Sequence, residues 1–430
     1  MLISYLLKRP LVGLFLFLVF SDIVITNGAS NPKIIMIEIK GNVKTLDYII
    51  EREIKHKILI PLDSVLAEED RDRIENLGLF SEVQWRMVLL ENNAAKLVYN
   101  VVESVQNIPP TILPAYDEKT GWSIIGGIFM TNWRGRNQSL SFNISVGGKD
   151  TYGLVFSDPW KFGNHVSMKI QIDKSIYDHN FLDYNIEKNI GRIDFGRWYG
   201  ENIKLIMGTS IESKEFKNEL FPKNKYFYFS IKPVIKYDTR DVYWNPTKGV
   251  LWSNYYVFNS GISFSNFSWK KSISLYHQLI KSRKELIVAI NGTFKFVWGD
   301  KEETWLNYLG DSFTVRGWKL PNRDLFDSKS ESYRFGHELI HGSFELRKVI
   351  IPKFITKYDT EFGLIGVFFI DSGLISDEIK NINNDLIMVG SGFGLRIPFP
   401  LINLIRLDYG WGYNKKWNFG SFHWGISHKF

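Results

Sequence analysis

The sequence has 430 residues, a formal net charge of +7 and no cysteine. The absence of cysteine excludes disulfide bonds, cysteine zinc sites, a thiol nucleophile and a lipid-modified N-terminal cysteine. The mean hydropathy of −0.13 excludes a polytopic helical membrane protein, and the scattered basic residues give no nucleic-acid footprint. Aromatic residues make up 15% of the chain and glycine occurs 34 times, which is typical of many short strands joined by turns.

The N-terminal residues 1–29 have the pattern of a signal peptide. Lys8 and Arg9 precede a short apolar run, Leu11–Phe20, and Ala29 ends a cleavage site of small residues. The alternative is an uncleaved membrane anchor, but the run is shorter than the about 20 residues that a spanning helix needs. No later apolar run approaches that length, so a membrane-embedded mature chain would cross as strands.

Residues 31–104 predict a small α+β domain in the order strand, helix, helix, strand, strand. The first strand carries isoleucine at alternate positions, both helices carry apolar residues on one face, and Gly78 is placed to cap the second helix. The predicted elements are a strand around 35–39, helices Thr45–Lys57 and Glu68–Leu77, and strands Val83–Leu89 and Lys96–Val102. A cluster of prolines then predicts a linker over 105–115.

Residues 116–430 contain no convincing helix and alternate between apolar and polar side chains. In one example, Phe227, Phe229 and Ile231 alternate with Ser230 and Lys232. A soluble sandwich also alternates, but here the polar face carries charged residues and the apolar face is rich in large aromatics, which is the pattern of a transmembrane barrel. At roughly 20 residues per strand and turn, the segment predicts an all-β barrel of about 16 antiparallel strands.

One segment matches an enzyme motif. His337, Glu338 and His341 read H-E-x-x-H, in which two histidines one helical turn apart bind zinc. The segment lies in a strand context, where the two histidines would be about 13 Å apart, too far to bind one zinc ion at about 2.1 Å. We therefore predict no metal site and no catalytic residue in this segment.

Six short motifs follow one another in the C-terminal half. They are Asp238-Thr239-Arg240-Asp241 with Pro246-Thr247-Lys248-Gly249, Val315-Arg316-Gly317-Trp318, Phe344-Glu345-Leu346-Arg347, Phe369-Ile370-Asp371-Ser372-Gly373, Gly392-Phe393-Gly394-Leu395-Arg396 and Leu404-Ile405-Arg406-Leu407-Asp408-Tyr409-Gly410. The N-terminal domain adds Gly41-Asn42, Arg52-Glu53-Ile54 and Leu77–Val83. In this order the motifs resemble the BamA/TamA-type outer-membrane protein assembly factor superfamily, the bacterial surface antigen family, with a single POTRA domain.

The resemblance implies a contact inside the barrel. In the family, the loop with the V-R-G motif folds back into the lumen, where acidic residues of lumen-facing strands hold its arginine. Here that implies that Arg316 pairs with Glu345 and Asp371, and that Gly317 lets the tip turn. Strand alternation places Glu345 away from the apolar face, whereas the stretch around Asp371 is apolar on both sides. The alternative is a solvated loop arginine and two unrelated lumen acids.

Other charged residues have a structural interpretation. The polar residues of Asp238–Asp241 fall where a strand meets a turn, which favours a structural role over a chemical one. Arg406 and Asp408 share one face of a strand and are predicted to line the lumen as paired charges. The seam of the barrel is predicted between strands near Trp122–Met130 and Phe422–Phe430, with Gly425 weakening the pairing and Phe430 as the C-terminal aromatic.

By resemblance, the chain is expected to assemble and insert β-barrel proteins in the outer membrane of a Gram-negative bacterium. A substrate strand would add to the open seam by β-augmentation. The resemblance implies that this mechanism needs no cofactor and that the protein is not an enzyme. The expected partners are unfolded outer-membrane proteins, periplasmic or lipoprotein accessory factors and membrane lipid, with no nucleic acid. The alternatives are a polypeptide secretion pore of the two-partner type and a passive or lipid-related barrel. The sequence departs from the family pattern in its single POTRA domain, in Trp318 and in His428.

Overall fold

The computed structural model describes residues 31–163, 165–218, 224–282, 284–329, 331–355, 361–378, 387–399 and 403–430. The predicted signal peptide, 1–29, lies outside these ranges. Within them, no helix is both long enough and apolar enough to cross a membrane.

Residues 33–103 form the small α+β domain. Its elements are β1 (Lys33–Lys40), α1 (Asp47–Glu51), α2 (Ser64–Glu75), β2 (Phe80–Leu89) and β3 (Ala94–Glu103). The sheet order is β1-β3-β2, with β1 parallel and β2 antiparallel to β3. The core lies between this sheet and the two helices, and its fully buried side chains include Ile49, Ile50, Ile74 and Leu97. Burying each such side chain contributes about 1.5–3 kcal/mol.

The two helices differ in extent from the prediction, although their order is confirmed. The first helix spans only Asp47–Glu51. The chain after it is instead held by the buried carboxylate of Asp70, which accepts N–H groups of Lys55 at 2.8 Å and His56 at 3.0 Å. The second helix begins earlier than predicted because Asp63 caps it, accepting the N–H groups of Val65 and Leu66 at 3.0 Å.

The rest of the described chain is dominated by one antiparallel barrel. Its strands and the short strands between them are β4 (Asn107–Asp117), β5 (Gly121–Trp133), β6 (Gln138–Gly147), β7 (Lys149–Asp158), β8 (Val166–Asp178), β9 (Asn185–Tyr199), β10 (Ile203–Lys217), β11 (Asn224–Asp238), β12 (Gly249–Gly261), β13 (Ser265–Ile280), β14 (Leu286–Gly299), β15 (Asn307–Tyr308), β16 (Phe335–Gly336), β17 (Glu338–Ile355), β18 (Glu361–Ser376), β19 (Met388–Phe399), β20 (Asn403–Asn414), β21 (Lys416–Trp417) and β22 (Ser421–Ile426). Without the separate β15–β16 pair and the two-residue β21, this is a 16-stranded barrel. The predicted fold class is confirmed.

Each barrel strand presents one face outward and the other to the lumen. Along β11, Phe227, Phe229 and Ile231 are 62%, 44% and 40% exposed, whereas Tyr228 and Ser230 between them are 4% and 0% exposed. The outer face of three neighbouring strands carries rings stacked across the ladder, namely Tyr256, Phe258, Phe267, Trp269, Phe296 and Trp298. Aromatic rings on the outer surface are typical of the membrane interface of a barrel.

The predicted linker over 105–115 is wrong in part, because 107–117 is the first barrel strand. β4 pairs with β5 from Asn107 to Asp117, with an irregularity at the two adjacent prolines, 109 and 110. Proline lacks the N–H that a central strand needs, but an edge strand tolerates it because one side has no full partner. The segment predicted as the first seam strand, near Trp122–Met130, therefore belongs to β5, the second strand.

The last strand is also shorter than predicted. β22 ends at Ile426, and Ser427 has a φ of +68°, which directs the final residues away from the wall. Phe430 therefore does not lie on the seam. Its carbonyl accepts a hydrogen bond from Arg347 at 3.2 Å, and its ring lies 6.3 Å from that of Tyr276.

The α+β domain rests on one end of the barrel, which we call the near rim; the other end is the distal rim. Asn76 donates to the carbonyl of Asp241 at 2.7 Å and accepts from the N–H of Tyr243 at 2.8 Å. Leu46 donates its N–H to the carbonyl of Gly135 at 3.1 Å. These contacts place the domain against the β5–β6 and β11–β12 turns.

Candidate functional site

The connection between β14 and β17 enters the lumen from the distal rim. Its central residues Leu309–Trp318, the loop tip, are almost all buried; Leu309, Val315 and Trp318 pack against Leu339 and Ile375 of the wall. The tip is also folded by its own polar groups. The buried carboxylate of Asp311 accepts the N–H groups of Phe313 at 3.0 Å and Thr314 at 2.7 Å. Local hydrogen bonds and apolar packing together hold the tip inside the barrel.

Glycine is required where the tip meets the wall. Gly317 has a φ of +88°, and a Cβ there would lie 2.6 Å from the carbonyl carbon of Trp411. On the facing strand β19, a Cβ at Gly390 would lie 1.8 Å from the carbonyl oxygen of Arg316. Both positions allow an approach of backbone to backbone that any side chain would prevent. The second of these glycines was not part of the sequence prediction.

Arg316 is fully buried at the centre of the tip. Its Nε and Nη2 donate to the two carboxylate oxygens of Asp371 at 2.8 and 3.0 Å, and its backbone N–H donates to the same group at 3.0 Å. Its Nη1 donates to Glu345 at 2.7 Å and to Asp408 at 3.0 Å. The guanidinium lies 3.7 Å from the ring centroid of Phe369. The structure therefore brings Arg316 together with both predicted acids and adds a third.

The three acids are shared with other buried cations. Glu345 accepts from Arg347 at 2.9 Å and from Arg396 at 3.2 Å, and Asp408 accepts from Arg396 at 2.6 Å. Asp371 also pairs with Lys429 at 2.9 Å. A low-dielectric lumen strengthens these charge-assisted bonds and penalises any of these groups left unpaired.

Arg406 and Asp408 form the ion pair that the sequence predicts, but without a hydrogen bond between them. The Nε of Arg406 lies 3.8 Å from a carboxylate oxygen of Asp408, and among the described residues none of its guanidinium nitrogens has a hydrogen-bond partner. The side chain is buried under the ring of Phe313 at 4.8 Å and against Gly425, where a Cβ would lie 2.7 Å from Nη2. Asp408 is instead saturated by Arg316 and an arginine of the neighbouring strand. Gly425, in the last strand, thus leaves space for the side chain of Arg406.

The D-T-R-D segment lies at the near rim, away from the loop tip. Asp238 accepts from the guanidinium of Arg240 at 2.9 and 2.8 Å. Asp241 accepts the N–H of Thr247 at 3.0 Å, and Thr239 accepts the N–H of Val250 at 3.0 Å. These bonds close the β11–β12 turn on itself, so the geometry is that of a structural corner.

The two histidines of the H-E-x-x-H segment lie on and next to strand β17. His337 contacts Asp377 at 2.8 Å and the carbonyl of Glu302 at 3.0 Å, while His341 belongs to the strand itself. In the ranges that the structure covers, no group of three His, Cys, Asp or Glu residues is arranged to hold a metal ion.

The family models match both parts of the chain. The Omp85 superfamily domain matches residues 132–430, and a POTRA model, the surface antigen variable number repeat, matches residues 32–104. The chain belongs to the Omp85 superfamily. The described α+β domain is therefore a POTRA domain, and the Omp85 domain covers the barrel from the end of β5 onward, with its loop tip.

One curated relative is similar to part of the chain. Over 144 residues the chain is 27% identical to the outer membrane protein assembly factor BamA of Neisseria meningitidis serogroup B. The match covers 33% of this chain and 18% of the meningococcal protein. The matched region is therefore less than a fifth of the length of that relative.

Solved structures of two kinds of Omp85 protein share the fold. BamA from Haemophilus ducreyi lacking POTRA domains 1–3 matches with a TM-score of 0.55 and 18% identity over 92% of this chain and 85% of that chain. CdiB from Acinetobacter baumannii matches at 0.51 and 14% identity, covering 93% and 74%. CdiB from Escherichia coli matches at 0.53 and 10% identity, covering 95% and 92%. At these identities the likeness concerns the fold alone.

Three residues of the Omp85 site were not predicted as partners of Arg316. Asp408 and Phe369 contact Arg316 from separate strands, and Lys429 at the chain end pairs with Asp371. Strand alternation did place Asp408 on the lumen side, but alternation does not tell which lumen residues meet. Lys429 gave no signal, because its position depends on the inward bend after Ile426.

Proposed function

We propose that this Omp85 chain assembles and inserts β-barrel proteins in the outer membrane of a Gram-negative bacterium, with its POTRA domain in the periplasm. Substrate strands would enter laterally, at the seam between β4 and β22, and pair with the exposed edge by β-augmentation. The partners would be unfolded outer-membrane proteins, accessory periplasmic or lipoprotein factors, and membrane lipid. The relationship to BamA motivates this choice, and the geometry of the seam supports it.

The observation that carries the proposal is the unequal length of the two seam strands. β4 has 11 residues and pairs along its whole length with β5, whereas β22 has only 6 residues. Within the described ranges, part of the other edge of β4 therefore has no strand beside it. An unpaired edge is normally avoided in proteins because it recruits another strand. In an insertase, the same property provides the surface on which a substrate strand can grow.

The filled lumen favours a lateral route over an axial one. Arg316, Glu345, Asp371 and Asp408 are all 0% exposed, and the POTRA domain rests on the near rim. An axial pore of the two-partner type would require the loop tip to leave this network. Breaking a buried ion pair costs about 3–5 kcal/mol, whereas part of the β4 edge at the seam already extends past the 6-residue strand β22.

A seam cross-link tests the route. The chain has no cysteine, so two cysteines can be introduced and joined by a short thiol reagent. The seam pair is Tyr116→Cys with Trp424→Cys, because the indole N–H of Trp424 donates to the carbonyl of Tyr116 at 2.9 Å. Tyr409→Cys with Phe422→Cys is the matched control, because these residues are paired within the wall. Purified protein in liposomes is then given an unfolded barrel protein, and its folding is followed by gel mobility.

We expect the seam cross-link to abolish substrate folding and the control cross-link to leave it unchanged. Equal activity with both cross-links would contradict the lateral route. In the native host, depletion followed by outer-membrane proteomics separates the alternatives. A broad loss of barrel proteins supports assembly, loss of one secreted protein supports the secretion pore, and no loss supports a passive barrel.

A further inference from the structure

The loop tip contacts the first barrel hairpin as well as the lumen network. Glu118 follows β4 in the turn to β5, and its Oε2 accepts the backbone N–H of Ser312 at 3.1 Å. The next residue, Lys119, pairs with Asp311 at 3.1 Å. Both partners are buried residues of the tip, at 2% exposure each. One side of the seam is therefore attached to the loop tip by two polar contacts.

The last strand is attached to the same tip. The backbone N–H of Gly317 donates to Nε2 of His423 in β22 at 2.8 Å, and Asn418, just before that strand, donates to the carbonyl of Gly317 at 2.8 Å. His423 in turn lies 2.6 Å from Oε1 of Glu118 through its Nδ1. Glu118 and His423 thus meet across the seam while each also holds the loop tip.

The chemistry of these contacts fixes the state of His423. A backbone N–H can only donate, so Nε2 must accept and carries no proton. Nδ1 then carries the proton and donates it to the Glu118 carboxylate, a charge-assisted bond. Glu118 uses both oxygens, one for His423 and one for Ser312. The imidazole is 1% exposed, so water does not compete for either bond.

We infer that Glu118 and His423 are positioning residues that clasp the seam shut through the loop tip. The inference rests on the proposed lateral route, since it assigns the contacts that must break for the seam to open. Because β22 is short, few backbone hydrogen bonds can join it to β4. The side-chain contacts of Glu118 and His423 add to these bonds at the distal half of the seam. Release of the loop tip and opening of the seam become one coupled event.

Hydrogen exchange on the purified full-length chain in liposomes, without substrate, tests the clasp. The variants are His423→Phe, which keeps a ring but removes both nitrogens, and Glu118→Gln, which leaves one acceptor oxygen for two donors. His423→Gln restores one donor and one acceptor. Phe422→Leu is the matched control in the same strand, because Phe422 faces outward at 60% exposure. A gel-mobility assay of unheated protein confirms that each variant is folded.

We expect hydrogen exchange in peptides covering 107–120 and 421–426 to accelerate about tenfold in His423→Phe. A tenfold change corresponds to a loss of about 1.4 kcal/mol in the free energy of opening the seam. Glu118→Gln should give a smaller increase, and His423→Gln and Phe422→Leu should remain close to the parent chain. Unchanged exchange in both peptides for both disrupting variants would overturn the clasp. Acceleration spread evenly over the barrel would overturn it as well, since that is general destabilisation.

The outcome separates this inference from the proposed function. Exchange reports the closed seam with no substrate present, so a local tenfold increase supports the clasp even if no barrel protein is inserted in any assay. Conversely, the seam cross-link could block insertion while hydrogen exchange in His423→Phe stays unchanged. That result would support the lateral route and overturn the clasp.

Discussion

Replacing Arg316 with alanine removes the group around which the lumen site is organised. The side chain donates bidentately to Asp371 and also to Glu345 and Asp408, all fully buried. Removing one partner of a buried ion pair costs about 3–5 kcal/mol, because the other charges remain in a low-dielectric site. The remaining cations moderate this cost, since Lys429 still reaches Asp371 at 2.9 Å. We therefore expect a loss of about 3 kcal/mol in the stability of the docked loop tip.

Limited proteolysis measures this loss. When opening and closing are fast, cleavage of a transiently opened segment follows the free energy of opening, so a loss of about 3 kcal/mol accelerates cleavage within the β14–β17 connection by roughly a hundredfold. Arg316→Lys keeps the charge but not the two-pronged geometry, and should give an intermediate rate. Asp371→Ala combined with Arg316→Ala should cost less than the sum of the single changes, since the two groups are in direct contact.

Unchanged protease protection in Arg316→Ala would refute this reasoning. It would mean that apolar packing of Leu309, Val315 and Trp318 against the wall holds the tip without the ion network. Substrate insertion equal to that of the parent chain, despite an accelerated cleavage rate, would instead show that the docked tip is dispensable for activity.

Three further predictions concern other parts of the molecule. Burial raises the pKa of Asp72 in the POTRA domain to about 6, above its usual 3.8, so the folded domain binds more protons between these values and should lose stability as pH rises from about 4 to 6. Asp72→Asn should remove that slope, measured on the whole chain by hydrogen exchange of POTRA peptides at increasing denaturant. Gly390→Ala should displace the tip, because its Cβ would lie 1.8 Å from the carbonyl oxygen of Arg316, whereas Gly292→Ala, with nothing within 4 Å, should not change loop proteolysis. Lys429→Met should lower the heat-unfolding temperature of the barrel less than Arg316→Ala does, since Asp371 keeps its bidentate partner; an equal or larger effect would contradict this ranking.

The sequence was informative where a prediction needs only the two-residue alternation of side chains along one strand. Alternation along β11 placed Phe227 and Phe229 outside and Ser230 inside, and the structure has them 62%, 44% and 0% exposed. Alternation also placed Glu345 in the lumen. The motif order then indicated that Arg316 would meet Glu345 and Asp371, and they lie within 2.7–3.0 Å. These inferences need only strand geometry and a family resemblance.

The sequence was less informative where several strands converge. Asp408 was placed in the lumen beside Arg406, and the two form an ion pair at 3.8 Å. The hydrogen bonds that Asp408 accepts come instead from Arg316 and Arg396, which the sequence did not predict. The choice among lumen partners depends on barrel shear and on the depth of the loop tip, which no single strand encodes. Glu118 and His423, 305 positions apart, are neighbours only because the barrel closes.

The sequence by itself determined that this chain forms an outward-apolar barrel behind a small α+β domain, since two-residue and helical periodicities are properties of adjacent residues. Only the tertiary structure decided which strands form the seam. A proline-rich segment can be a linker or an edge strand with the same local sequence, and the difference is whether a neighbour claims its backbone N–H groups. The final residues likewise could extend β22 or turn inward, and the buried carboxylate of Asp371, paired with Lys429 at 2.9 Å, favours the inward path.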